Sequence, residues 1–379
     1  MMMQADWSYP TTVWFGVGRI NELARACRQS GITAPLLVTD RGLARTAMVT
    51  HIREHLIQES LKHELFGEVD ANPDEANLMA GLAAFAENNH DGVIALGGGS
   101  ALDLGKAVAF MVGQRRPVWD FEDVGDNWRR ADTTQVAPVV AVPTTAGTGS
   151  EVGRAFVLSA VDTKKIIFHP TVLPRLALCD PQLTTTMPPA TTAGTGMDAL
   201  AHCLEAFCAP AYHPMSHGIA LEGMRLVMES LPRAYQDGHD LEARAHMMSA
   251  AAMGATAFQK GLGAIHAISH PVGAITGAHH GTLNGIVMPA VLRFNRPAIE
   301  TQINQAAGYL GIAEGFDGFY ARIMALRETL AIPPTLAHIG LRSDHLADVV
   351  TRALADPSCA GNPVPMTADN TRRLIESCL

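Results

Sequence analysis

The chain has 379 residues, of which 47% are hydrophobic and 17% charged, with a formal charge of -9. That length exceeds what one hydrophobic core usually organises, so two domains are expected, in a globular chain with a large buried fraction. The acidic balance, without any Lys/Arg-rich run, argues against nucleic acid as a partner, and no apolar run is long enough to span a membrane. The opening MMMQADWSYP lacks the charged-then-apolar pattern of a signal peptide. Six cysteines, with no CxxC and no disulfide-like spacing, fit a reduced, cytoplasmic setting. There is no internal repeat and no low-complexity tract.

Short apolar or β-branched runs recur through the first half: TTVWFG, PLLVTD, GVIALGGG, VVAVPTT and LALCDP. Several are separated by helical patterns such as ANLMAGLAAFAENN and ALDLGKAVAFMV. The runs do not alternate polar with apolar, so they read as strands buried on both faces of a parallel sheet covered by helices. After residue 181 the strand signal ends, and MDALAHCLEAF, HGIALEGMRLVMESL and EARAHMMSAAAMGATAF have helical period. The Pro-, Thr- and Gly-rich stretch 181–196 is the natural boundary. The expected organisation is a Rossmann-like α/β domain over 1–184, followed by an all-helical domain over 185–379.

Three places in the first domain suit a nucleotide. PLLVTDRG sets Asp40 after a strand, where a carboxylate holds two ribose hydroxyls and repels a 2′-phosphate, favouring NAD over NADP. Arg41 beside it could accept such a phosphate, and a plain helix cap at Asp40 would look the same in sequence. GVIALGGGSALDLGKAVA runs from a strand through Gly98, Gly99 and Ser100 into a helix, whose N-terminal N–H groups and dipole attract anions. VVAVPTTAGTGSEVG repeats the theme with Thr144, Thr145 and Thr148. A tight turn or solvated loop explains either alone, but open α/β sheets bind nucleotides at this edge.

The second half carries metal-binding chemistry. Asp198 and His202 stand four apart in a helical pattern and share a face, as do His266 and His270, with His279 and His280 further on. A carboxylate with three imidazoles suits Fe(II), Zn or another divalent ion. Spacing alone does not say which three histidines bind.

In this order, ANPD, GGGSALDLGKA, PTTAGTGSE, GMDALAHCLEA and HAISHPVGAITGAHHGTLN resemble the iron-containing (group III) alcohol dehydrogenases of the dehydroquinate-synthase-like superfamily. The resemblance runs to about residue 295 and is fainter over the last 80. It implies metal ligands at Asp198, His202, His266 and His280, and a proton-handling residue near the nicotinamide at His270. It implies cofactor contacts at Asp40, Asn72, Gly99, Ser100, Thr144, Thr145 and Lys164, with Lys165 the alternative one position on. His279 is left as a pocket-lining group or a support to a ligand. AFQKGLGAIH departs from the family's usual AFSNAGLGAVH: it is one residue shorter, the Asn is missing and Lys260 is present, which bears on the substrate pocket.

The activity so implied is reversible hydride transfer between a small alcohol or hydroxy acid and NAD, with Fe(II) or a similar ion polarising the substrate oxygen and His270 relaying the proton. A cleft between the two domains is expected to align the parts. A homodimer or larger homo-oligomer is expected. Other superfamily activities are the alternatives: maleylacetate reductase, a glycerol or diol dehydrogenase, or the dehydroquinate synthase cyclase. A binding protein without turnover is the alternative from another class. The Asp-His-His-His set argues against the cyclase, which has Glu in place of Asp, and against the metal-free reductases.

Overall fold

A computed structural model describes residues 8–160 and 163–379. The chain forms two compact units: one comprises Tyr9–Thr145 and Gly149–Thr186, the other Ala146–Thr148 and Met187–Leu379, together with Ser8.

In the first unit, strands β1 (Thr12–Phe15), β2 (Pro35–Asp40), β3 (Glu64–Val69), β4 (Gly92–Gly97), β5 (Val139–Pro143) and β8 (Leu176–Cys179) form one sheet in the order β1-β8-β5-β4-β2-β3. Every neighbouring pair is parallel. Strands β6 (Ala155–Ala160) and β7 (Thr163–Phe168) make a separate antiparallel pair. Helices α1 (Leu23–Gln29), α2 (Ala47–Gln58), α3 (Glu75–Glu87) and α4 (Gly99–Met111) cover the sheet.

The two sheet faces are sorted by the period-2 alternation of strand side chains. Leu36, Val38, Val93 and Ala95 join a core with Leu78 of α3 and Leu102, Leu104 and Val108 of α4. Leu37, Ile94 and Leu96 join another with Leu23 of α1 and Val49 and Ile52 of α2. Burial on both faces explains the continuous apolar runs, as expected of a parallel sheet. Strand β3 and the β6–β7 pair had not been expected. In β3, exposed Glu64 and Glu68 are interspersed with buried Phe66 and Val69, a mixed pattern that lacks the apolar run of a central strand.

The second unit is helical: α5 (Pro189–Cys208), α6 (Pro214–Gln236), α7 (Leu241–Ala257), α8 (Ala264–Thr276), α9 (His280–Tyr309), α10 (Gly315–Thr329), α11 (Leu346–Ala355) and α12 (Ala368–Glu376). Helix α5 is the hub and packs against α6, α7 and α9. Residues 189–196, which read as linker because of their Pro, Thr and Gly content, form its first two turns, with Pro189 in the first helical position that proline tolerates. Helix packing overrides propensity here. A Cβ on Gly281 of α9 would lie 2.0 Å from the Gly194 carbonyl oxygen of α5, so only glycine lets the two backbones come this close. That contact sets the start of α9, and with it His280, beside Asp198.

Candidate metal centre and nucleotide loops

Asp198 and His202 lie one turn apart on α5, His266 and His270 one turn apart on α8, and His280 opens α9. Donor atoms of Asp198, His202 and His266 all lie within 4.8 Å of one another, and all three residues are buried. The Nε2 atoms of His202, His266 and His280 stand 3.8, 3.7 and 3.6 Å from one atom, Oδ1 of Asp198. These separations are too long for hydrogen bonds. They are close to the edge of a tetrahedron of ligands around an ion at about 2.1 Å, roughly 3.4 Å. The donor set and its spacing therefore fit a divalent ion. The side chain of His280 keeps 28% of its exposure whereas Asp198 keeps 4%, so the cluster opens to solvent on the His280 side.

The electrostatics differ from donor to donor, and an ion entering the site has to displace the proton that His266 holds. Burial pushes the His202 imidazole down to about 4, so the ring is a neutral donor at neutral pH. Burial also works against ionisation of Asp198, but the surrounding imidazoles, His202 first, outweigh it and hold the carboxyl well below the usual range. At His266 burial disfavours the charged ring, yet Glu205 and Asp198 overcome this and raise it to about 9.

Glu205 was not singled out from the sequence. Its Oε2 lies 2.6 Å from His266 Nδ1, while its Oε1 accepts the Ile265 backbone N–H at 2.6 Å. Such a carboxylate fixes the tautomer that presents Nε2 to an ion. A signal was available: Asp198, His202 and Glu205 recur at i, i+4 and i+7, one helical face. Asp356 was also missed. Its Oδ2 lies 2.7 Å from His270 Nδ1, and its Oδ1 accepts the Ser358 N–H. The pair is 86 residues apart in sequence, and no local pattern announces it. The His270 ring stacks on His280 with centroids 5.1 Å apart and planes 14° apart. His279 is the N-cap of α9 and lies close enough to Gly194 that a Cβ there would meet its ring at 2.6 Å. Lys260, which departs from the family pattern, is buried, and its Nζ donates to the Phe207 carbonyl in the last turn of α5, a helix end that favours cations.

In the sheet unit, β4 ends at Gly97 with φ 144°, a conformation that side chains rarely adopt, and α4 begins at Gly99. The start of a helix in such a turn suits an anion, because its first N–H groups have no partner within the helix. A Cβ on Gly98 would lie 3.2 Å from the Thr145 side chain, so the glycine turn and the Thr loop touch. Thr144 is buried and its N–H donates to the Gly97 carbonyl, whereas Thr148 lies in the short segment grouped with the helical unit. Below the loop, buried Lys106 donates to the carbonyls of Ser150 and Ala155, and Asp103 accepts the Ser150 hydroxyl and the Val157 N–H, tying α4 to the loop that follows β5.

The Ser100 hydroxyl does not cap α4. It donates to the Ala71 carbonyl at 2.6 Å, beside exposed Asn72. The two oxygens of Asp40 face different neighbours. Its Oδ1 caps the next turn by accepting the Gly42 and Leu43 N–H groups, and its Oδ2 faces Gly97. Arg41 is engaged by Asp70 at 2.9 Å and Glu68 at 3.8 Å. Lys165 pairs with Glu122 at 2.6 Å, while Lys164 is exposed on β7 opposite Ser159.

The likeness to known proteins covers the whole molecule. Residues 10–181 match the family described as iron-containing alcohol dehydrogenase, and residues 192–379 match the C-terminal domain of the Fe-containing alcohol dehydrogenase family. The chain is 38% identical to a 4-hydroxybutyrate dehydrogenase of Cupriavidus necator, over 98% of this chain and 99% of that protein. Among solved structures it resembles a 1,3-propanediol oxidoreductase, with TM-score 0.94 and 29% identity, over 99% of this chain and 100% of that one. It also resembles the sulfoacetaldehyde reductase of Bifidobacterium kashiwanohense in complex with NAD+, with TM-score 0.91 and 28% identity, over 100% and 99%. By both domains and over its full length, this chain belongs to the iron-containing alcohol dehydrogenase family.

Proposed function

We propose that the chain is an NAD-dependent alcohol dehydrogenase that holds a divalent ion, Fe(II) first among candidates, and oxidises a small alcohol or hydroxy acid reversibly. The observation that carries this reading is the approach of three imidazole Nε2 atoms to one carboxylate oxygen at 3.6 to 3.8 Å, with Asp198, His202 and His266 buried and His280 partly open. Asp198, His202, His266 and His280 would hold the ion, and when bound it supplies Lewis-acid polarisation of the substrate oxygen. Glu205 keeps His266 oriented. His270, oriented through Nδ1 by Asp356, offers Nε2 to receive the alcohol proton.

In the sheet unit, the first turn of α4 would receive the pyrophosphate beside the Thr144–Thr145 loop, and Asp40 would accept from the ribose hydroxyls. Arg41, already paired with Asp70, is drawn away from a 2′-phosphate, which supports NAD over NADP. Asn72 and Lys164 complete the proposed contacts. The likeness to a protein named 4-hydroxybutyrate dehydrogenase puts ω-hydroxy acids first among substrates. We include self-assembly into a homodimer or larger oligomer in the proposal.

The test is to strip the purified protein with a chelator and reload it with Fe(II) or Zn. NADH formation is then followed with ethanol, 1,3-propanediol and 4-hydroxybutyrate. Activity restored by the ion supports the reading, and loaded protein inactive on all three classes with either cofactor overturns it. Light scattering reads the assembly.

A further inference from the structure

Asn284 lies on α9 four residues after His280, so the two side chains share a helix face. It is fully buried. Its Nδ2 donates to Asp198 Oδ1 at 2.8 Å, and the same nitrogen stands 3.3 Å from His280 Nε2 and 3.5 Å from His266 Nε2. One end of a single carboxamide thus touches three of the four proposed ligand atoms. The other end, Oδ1, is buried and accepts no hydrogen bond among the described residues. A buried unpaired amide oxygen costs free energy, and a residue kept under that cost has its use at the other end of the group.

We propose that Asn284 is a positioning residue of the metal centre. Resting on the metal reading above, it selects Oδ1 as the ligating oxygen of Asp198 and turns that lone pair toward the three imidazoles. A carboxamide suits this task. Unlike lysine or arginine it donates without adding a positive charge that would compete with the ion. Unlike a carboxylate it does not repel Asp198 at 2.8 Å. It also withdraws electron density from the ligating oxygen, which leaves the ion a stronger Lewis acid. Partners that hold a ligand in this way typically contribute about 10–100-fold to metal affinity.

The experiment compares wild-type protein with Asn284→Leu, branched alike though bulkier and without a donor, and Asn284→Asp, close in shape and size but without an N–H. Affinity for Co(II) and Zn is measured by chelator competition, and the d–d absorption of the Co(II) protein is recorded. Circular dichroism and the metal-free melting temperature monitor folding. Expected is a dissociation constant about 10–100-fold higher in Asn284→Leu, with a changed Co(II) spectrum and an intact fold. Asn284→Asp should give a spectrum unlike wild type, because the donor is not restored. If Asn284→Leu does not fold, Asn284→Asp decides: a Co(II) spectrum identical to wild type overturns the proposal. Wild-type affinity and spectrum in Asn284→Leu overturn the positioning role alone. A wild-type protein that binds neither ion overturns the metal reading, and this role with it.

Discussion

Nδ1 of His270 lies 2.7 Å from Oδ2 of Asp356, on a ring that also stacks face to face with His280. Asp356 is held below the usual carboxylate range: burial resists its charge, but hydrogen bonding and charge from His270 outweigh it. One nitrogen of His270 is therefore committed to orientation, and the other is the one that the proposed proton relay uses. Asp356→Ala should retain bound metal and lower kcat about tenfold or more, since an unanchored ring forfeits part of the general acid–base factor. Metal analysis beside steady-state kinetics decides. Loss of the ion in this variant would mean that Asp356 supports the ligand set instead.

Comparing His270→Ala with His280→Ala separates relay from ligand. The first should keep the ion and lose on the order of 10²–10⁴ in kcat. The second should lose the ion. The reverse pattern of metal content would exchange the two assignments.

Glu205 bridges His266 Nδ1 and the Ile265 N–H through its two oxygens. Glu205→Ala should weaken metal binding by about 10–100-fold, and Glu205→Gln by less, because an amide still offers one acceptor. Chelator competition measures both, and an unchanged affinity in Glu205→Ala removes Glu205 from the centre.

Asp40→Gly removes both a ribose acceptor and a turn cap. The ratio of kcat/KM for NADP over NAD should rise, with a stability loss of roughly a few tenths of a kcal/mol from the missing cap, since glycine is itself tolerated there. Because Asp70 draws Arg41 aside, the double variant Asp40→Gly/Asp70→Ala should shift the ratio further. A constant ratio across all three proteins would show that Asp40 is a cap and nothing more.

Burial raises the Glu151 carboxyl from 4.5 to about 7, with Lys106 close by offsetting part of the effect. Between these values the folded protein keeps a proton that the unfolded chain releases, so stability falls as pH climbs through the window. Glu151→Gln carries no such titration. Relative to wild type it should gain stability between pH 5 and pH 8, by at most about 3 kcal/mol. Urea midpoints at the two pH values check this, and an equal difference at both would mean that Glu151 stays charged in the fold.

What the sequence makes legible here is what is local. Central strands buried on both faces appear as apolar runs, and polar residues four apart on an apolar helix appear as pairs. Asp198 with His202 and His266 with His270 are therefore visible, and Glu205 is visible on the same rule. The contact of Asp356 with His270 is set by the packing of α11 against α8, which no spacing encodes. Gly194 and Gly196 look like linker because intrinsic propensity favours a break, while the close approach of Gly281 and Leu231 requires glycine inside the helix. In β7, Lys164 and Lys165 obscure a strand that takes its order from pairing with β6.

The proposed donors come from three helices, α5, α8 and α9, and the unfolded chain holds no comparable constellation. An ion bound there is bound by the native state alone. By mass action, each tenfold rise in free ion above its dissociation constant adds about 1.4 kcal/mol to the resistance of the helical unit to unfolding. The melting temperature of that unit thus becomes a gauge of free metal, climbing with the logarithm of its concentration, and starving a cell of the ion would lower the standing amount of this protein through faster turnover before any shortage of substrate was felt.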